Sequence, residues 1–200
     1  MTSTARKAPS LLALSAQAAI GAAAVADAFR AAAVRDHYLH PGDGPLHRSG
    51  FISMIFFYLM ALAIVLFLVW LARVRGNAQE LSPRASVPSR GWTIGAWFIP
   101  AVNFYAPRQL VLDIGRASSA SWEQKRGAAL VKLWWAAWIM HVVVLVVGAV
   151  VAPGSMAVLV VGEALMIAAA VLLGLVIHRV MALQDTARGA TLPVTPLAQA

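Results

Sequence analysis

Four ionisable side chains stand inside strongly apolar stretches of this sequence: Asp27, Arg30, His141 and Glu163. A charge at the centre of a membrane helix costs about 3 kcal/mol on insertion scales, so each of them needs a partner or a task. Asp27 and Arg30 are one helical turn apart and share a face. With a rise of about 1.5 Å per residue, Asp27 stands roughly 24 Å along a helix starting at Leu11, and Glu163 about 10 Å along an opposed helix starting at Met156. Against a ~30 Å hydrocarbon core, both carboxylates fall in the same outer third. Two kinds of chemistry are open to such a layer. In one, Arg30 neutralises one or both carboxylates and specifies how the first and fourth helices dock. In the other, the layer is a polar pocket in which Glu163 binds a cation or exchanges a proton, as in a small transporter or channel subunit that would have to oligomerise. His141 falls near mid-span on its own helix, where a neutral imidazole hydrogen-bonds to a neighbouring backbone or side chain. Its depth differs from that of Glu163, so no His–Glu dyad is expected.

Further along, His37, His40 and His47 with Asp36 and Asp43 have the ligand types of a zinc or copper site. Pro41, Gly42, Gly44 and Pro45 between them read as a turn-rich connector, and neither a metal nor another cofactor is expected. The chain has no cysteine, which closes disulfide, thiolate-ligand and thiol-redox chemistry. A membrane-embedded enzyme acting on a lipid or isoprenoid would have to use Asp113, Glu163 or His141 as acid or base, without any nucleophile–base pair or metal signature beside them. Arg73, Arg75, Asn77, Arg84 and Arg90 form a basic stretch that runs into the aromatic segment Trp92 to Arg108. Guanidinium donors beside aromatic rings suit anionic lipid headgroups, so the expected partners are membrane lipids, anionic ones included, or a membrane protein. The net charge of +8 is dispersed beside apolar blocks and forms no polar basic domain, so no nucleic acid is expected.

These residues must be positioned by helices in lipid. Sixty per cent of the 200 residues are hydrophobic and 12% charged, with a mean hydropathy of +0.75, too apolar for a water-facing globule. The apolar residues cluster in blocks near the length that spans a bilayer. The sequence therefore predicts an all-α membrane protein with four transmembrane helices at 11–34, 51–71, 131–151 and 156–177. Residues 1–10 form the N-terminus, 35–50 an outer loop, 72–130 the central connection, and 178–200 a partly disordered tail. The stretch Phe51 to Leu71 has no charge and is the clearest span. The first is the weakest, and its basic start with Ala24-Val25-Ala26 before Asp27 also imitates a cleavable signal peptide. The Ala152-Pro153-Gly154-Ser155 turn makes the last two spans an antiparallel hairpin.

Lys and Arg are concentrated at 72–130, with Arg6, Lys7, Arg179 and Arg188 on the same side, which makes that side and both termini cytoplasmic in a cell membrane. Trp70, Trp92, Trp97, Trp122, Trp134, Trp135 and Trp138 lie in or beside this basic region and are expected as one aromatic layer at headgroup depth. Within it, 91–118 is apolar, but Pro100 and Pro107 interrupt any continuous helix. This predicts an interfacial or re-entrant helical segment between the second and third spans. Small residues on the first helix, Ala19, Gly21 and Ala23, let backbones approach closely, within the bundle or in a homo-oligomer.

The run Trp92-Thr93-Ile94-Gly95-Ala96-Trp97-Phe98-Ile99-Pro100, followed by Asn103, Pro107 and Arg108, resembles the actinobacterial membrane family termed domain of unknown function 4328. Arg73-Val74-Arg75-Gly76-Asn77-Ala78 before it, and Asp113-Ile114-Gly115-Arg116 after it, look like the family's flanking motifs. Trp134, Trp135 and Trp138 fit the Trp-rich start of its next helix. The chain departs from the pattern at Ala96, where Gly is frequent, and at Phe104 and Tyr105, where smaller or aliphatic residues are usual. The resemblance covers about 70–138. It implies a multi-pass membrane protein and no activity.

Overall fold

The computed structural model describes residues 10–39, 46–119, 122 and 126–191. Among them there is no strand, and the order of elements is α1 (Ser10–Leu39), α2 (Leu46–Leu81), α3 (Arg90–Gly95), α4 (Pro100–Asn103), α5 (Ala106–Ser118), α6 (Gly127–Val151) and α7 (Met156–Thr191). Four helices contain stretches long and apolar enough to cross a membrane: Ser10–Asp36, Gly50–Leu81, Gly127–Val151 and Met156–Ala190. Their outward faces carry bare apolar side chains such as Phe57, Val150 and Val171, which a bilayer would solvate and water would not. The protein is an all-α, multi-pass membrane protein.

The four spans pack in the order α2, α1, α7, α6. α6 and α7 form the hairpin closed by 152–155, and Gly148 lets them approach, because a Cβ there would collide with Val158. α1 runs antiparallel to α2 and also packs on α7, tied to it where Gln17 Nε2 donates to the Gly174 carbonyl at 2.8 Å. α5 fills the space between α2 and α6 at the end of the bundle where α1 begins and α7 ends, and it touches α7.

All four helices extend past the predicted spans: α1 and α2 take residues 35–39 and 46–50 from the expected outer loop, α6 starts at Gly127, and α2 and α7 run on furthest at their C-terminal ends. α2 continues from Leu71 to Leu81, and α7 from Ile177 to Thr191, so residues 178–191 are helix where a tail was expected. The apolar stripe explains this: Val74 and Ala78 on α2, with Val180, Met181 and Leu183 on α7, stay buried and pack around α5. Residues 192–200 lie outside the described residues.

The segment 91–118 divides in two. Pro100 and Pro107 start α4 and α5, where a missing N–H is harmless, and the Ser89 side chain caps α3 by accepting from the Trp92 amide. From Trp92 to Tyr105 the large apolar side chains Trp92, Ile94, Phe98, Ile99, Phe104 and Tyr105 are exposed, as an interfacial segment requires. α5 is different. Its Leu110, Val111, Leu112 and Ile114 are 1–2% exposed and belong to the core.

The tryptophans also depart from expectation. Trp70, Trp122, Trp134 and Trp135 are at most 6% exposed, so they do not form a headgroup-facing layer. Trp97, Trp134 and Trp135 instead stack edge-on or tilted with centroids 5.3–6.5 Å apart, Phe67 joins through Trp70, Trp97 and Trp134, and Trp138 stacks on Trp135. Ring–ring packing where α2 and α6 approach the α3–α5 segment takes up the surface that anchoring would have used. Trp135 Nε1 also donates to the Phe104 carbonyl at 3.0 Å, fastening α6 to the junction of α4 and α5.

Trp122 lies in the connection between α5 and α6, and its ring rests on two glycines. A Cβ at Gly115 or at Gly127 would come within 2.5 Å of ring carbons. Replacing Gly115 by Ala should therefore destabilise the protein by about 1–3 kcal/mol through overpacking. Thermal melting in detergent checks this, and combination with Trp122→Leu should be less than additive.

Candidate functional site

At the end of the bundle remote from α5, α1 carries Asp27 and Arg30 inward. Asp27 is 1% exposed, and a single oxygen, Oδ1, accepts from Arg30 Nε at 2.7 Å and lies 2.6 Å from Nη2. The guanidinium also lies 5.0 Å from the centre of the Phe56 ring on α2, so the cation has a carboxylate and a π face as its neighbours. A cavity of about 230 Å³ joins this pair to Glu163 of α7 and His141 of α6. Glu163 Oε1 is buried and has no hydrogen-bond partner.

His141 Nδ1 is 2.8 Å from the Gly162 carbonyl, which can only accept, so Nδ1 is the donor of that bond. All four intramembrane residues therefore line one chamber, His141 included, although its depth was expected to differ. The hairpin brings them together. His141 is eleven residues before Ala152 and Glu163 eight after Ser155, a difference in depth of only about 4–5 Å.

Asp27, Arg30 and His141 also line a second cavity, a cleft of about 660 Å³ that runs down the bundle to the α3–α5 end. Among the described residues α2 and α6 make no extensive contact, and Phe67 meets Trp134 only near the bottom. The cleft is walled by Ala63 and Phe67 on α2, Trp138 on α6 and Ala169 on α7. Trp97 and Asn103 lie at its floor. Sequence reasoning did not find the cleft, because hydropathy identifies spans but not which spans fail to touch.

The basic residues beyond the membrane end of α2 gather separately. Arg73, Arg75 and Arg90, with Glu80, line a pocket of about 460 Å³ beside the exposed aromatic segment. Arg75 Nε donates to the Pro88 carbonyl at 2.8 Å, which folds the 82–89 connection back on α2 and brings Arg90 to the others. Asn77 also lines this pocket, but its amide is tied to α7. It is 6% exposed and its Nδ2 donates to Gln184 Oε1 at 3.0 Å, so its role is structural.

The remaining expected site residues separate. Asp113 lies on the polar face of α5, with Gln109 donating to it at 2.9 Å and Arg116 at 3.3 Å, and it lines neither cavity with His141 or Glu163. Trp92 and Pro100 are exposed, Pro107 is buried in the first turn of α5, and Arg108 beside it is half-buried. Of the histidine-rich connection, His40 and Asp43 lie outside the described residues, as do the side chains of His37 and His47. Gln184 was not singled out from the sequence. The signal that would have found it is the continuation of helical spacing through 177, 180, 181 and 184, past the end of the hydrophobic window.

No curated protein and no solved structure matches the chain. Residues 46–182 match the family described as "Domain of unknown function (DUF4328)", a longer stretch than the motifs between Trp70 and Trp138 cover. It takes in α2, the α3–α5 segment, α6 and most of α7. The cleft walls on α2, α6 and α7 and the basic pocket thus lie within the matched residues, whereas Asp27 and Arg30 precede them. The chain belongs to the DUF4328 family.

Proposed function

We infer that the protein is a non-catalytic cell-membrane protein that docks anionic lipid through its Trp- and Arg-rich segment, with that segment and both termini in the cytoplasm. The observation that carries the reading is the convergence of Arg73, Arg75 and Arg90 on one pocket beside the exposed ring of Trp92. Three guanidinium groups against Glu80 leave a net positive pocket at the membrane end of α2, where headgroup phosphates would lie. The exposed apolar side chains from Trp92 to Tyr105 would enter the interface next to it. The excess of Lys and Arg at this end supports the cytoplasmic orientation.

Selective retention of phosphatidylglycerol over phosphatidylcholine by purified protein, read by native mass spectrometry, tests the reading. Near a membrane surface each Arg contributes on the order of 1 kcal/mol. Changing Arg73, Arg75 and Arg90 together to Ala should lower the selectivity roughly tenfold or more. The same substitution at Arg35, at the opposite end of the bundle, should leave it unchanged. Equal selectivity in wild type and triple variant would refute the docking pocket.

A second reading rests on Glu163, whose Oε1 is buried without a partner in the chamber that also holds Asp27, Arg30 and His141. A carboxylate so placed suits exchange of a proton or a monovalent cation, as in a small oligomeric transporter or channel subunit. In proteoliposomes, a proton or sodium flux abolished by Glu163→Gln is the expected result. Absence of flux in the wild type, with only thermal stability altered in the variant, leaves Glu163 as a packing residue.

A further inference from the structure

The long cleft between α2 and α6 has polar groups at both ends and an apolar wall between. From Ser53 to Leu68 on α2 it extends for about 22 Å at 1.5 Å per residue. Its volume falls within the roughly 300–1,000 Å³ usual for small-molecule sites. It lies among the membrane spans, so the molecules that surround it are lipids, and the lack of extensive packing between α2 and α6 leaves the entrance on the lipid side.

The floor of the cleft says what kind of lipid. The residues Trp97 and Asn103 line the cleft, and Trp97 Nε1 and Asn103 Oδ1 are buried with no hydrogen-bond partner. Trp70 and Trp122 also have orphaned N–H groups, but neither lines this cavity. An unsatisfied donor and an unsatisfied acceptor in an apolar chamber are each costly, and one group that both accepts and donates would satisfy the two together. A hydroxyl is such a group.

No charged side chain lines that floor, and at the other end Arg30 is already paired with Asp27. A phosphate or carboxylate headgroup at the floor would be desolvated without a counter-ion and could not donate to Asn103. We propose that the cleft binds one long-chain lipid with an uncharged, hydroxyl-bearing headgroup, the hydroxyl bridging Trp97 Nε1 and Asn103 Oδ1 and the chain lying along Ala63 and Ala169. Diacylglycerols and long polyprenols share this chemistry. The site is distinct from the arginine pocket and does not depend on it.

The test is competitive retention on the purified full chain in detergent micelles, read by native mass spectrometry. The probes are dioleoylglycerol, a long-chain polyprenol, oleic acid and dioleoylphosphatidylglycerol at equal mole fraction. One or both of the hydroxyl lipids should be retained at least tenfold over oleate, and the preferred one identifies the source. Phosphatidylglycerol, which also has the arginine pocket, is compared in the variant with Arg73, Arg75 and Arg90 all changed to Ala, where it should fall tenfold below the hydroxyl lipids too. Trp97→Phe, which keeps the ring and removes the N–H, and Asn103→Leu should each lower that retention about fivefold, the worth of one neutral hydrogen bond.

Ala169→Phe should fill the cleft and abolish retention of the hydroxyl lipid, while phosphatidylglycerol bound at the arginines remains. Equal retention of all four probes, or a hydroxyl preference unchanged in both floor variants, would overturn the headgroup assignment. Undiminished retention in a folded Ala169→Phe protein would overturn the cleft itself. Should Ala169→Phe not fold, the conservative Trp97→Phe decides alone.

Discussion

The amide of Gln184 is the point at which the α3–α5 end of this molecule is held together. Its Nε2 donates to the Val74 carbonyl at 3.0 Å and to Ser118 Oγ at 2.8 Å, and its Oε1 accepts from Asn77 Nδ2 at 3.0 Å. Ser118 Oγ in turn donates to the Ile114 carbonyl at 2.7 Å. One side chain on α7 therefore bonds to α2 twice and to α5 once, and Gln184 is fully buried. Inside an apolar core such a network is stabilising only because its members are satisfied together. Deleting one leaves the others buried and unpaired, at about 1–3 kcal/mol each.

The order of the spans makes this knot consequential. α2 and α6 are the two ends of the series α2, α1, α7, α6, and they have little direct contact. What bridges them is α5, held from one side by Gln184 and from the other by the bond from Trp135 to the Phe104 carbonyl. Trp97 and Asn103 then floor the gap, with the rings of Phe67 and Trp138 in its walls, and the cleft persists because no helix closes it. The arginine pocket depends on the same end of the bundle, since the 82–89 connection folds back from the part of α2 that the knot fixes.

Much of this was legible in the residues. An uncharged run such as Phe51 to Leu71 has one physical solution in a membrane, and Pro100 and Pro107 could only break the segment that contains them. Glu163 and Asp27 were placed in one layer by counting rise per residue. The parts not legible are those set by partners distant in sequence. A lone Gln at position 184 resembles a solvated helix end until the buried stripe is followed beyond the hydrophobic window. Asn77 stood in a basic motif and suggested a ligand, but its amide faces Gln184. The tryptophans were grouped correctly in sequence and wrongly in environment, because ring stacking among Trp97, Trp134 and Trp135 depends on how α6 meets α3–α5, which no composition encodes.

Hydrogen–deuterium exchange of the α5 amides, residues 106–118, measured on the full chain in nanodiscs with and without Gln184→Leu, addresses the bridging role directly. Faster exchange throughout α5, with the α6–α7 hairpin as protected as in the native protein, is the outcome required if Gln184 holds α5 across the gap. Unchanged protection of α5 in the variant would contradict it.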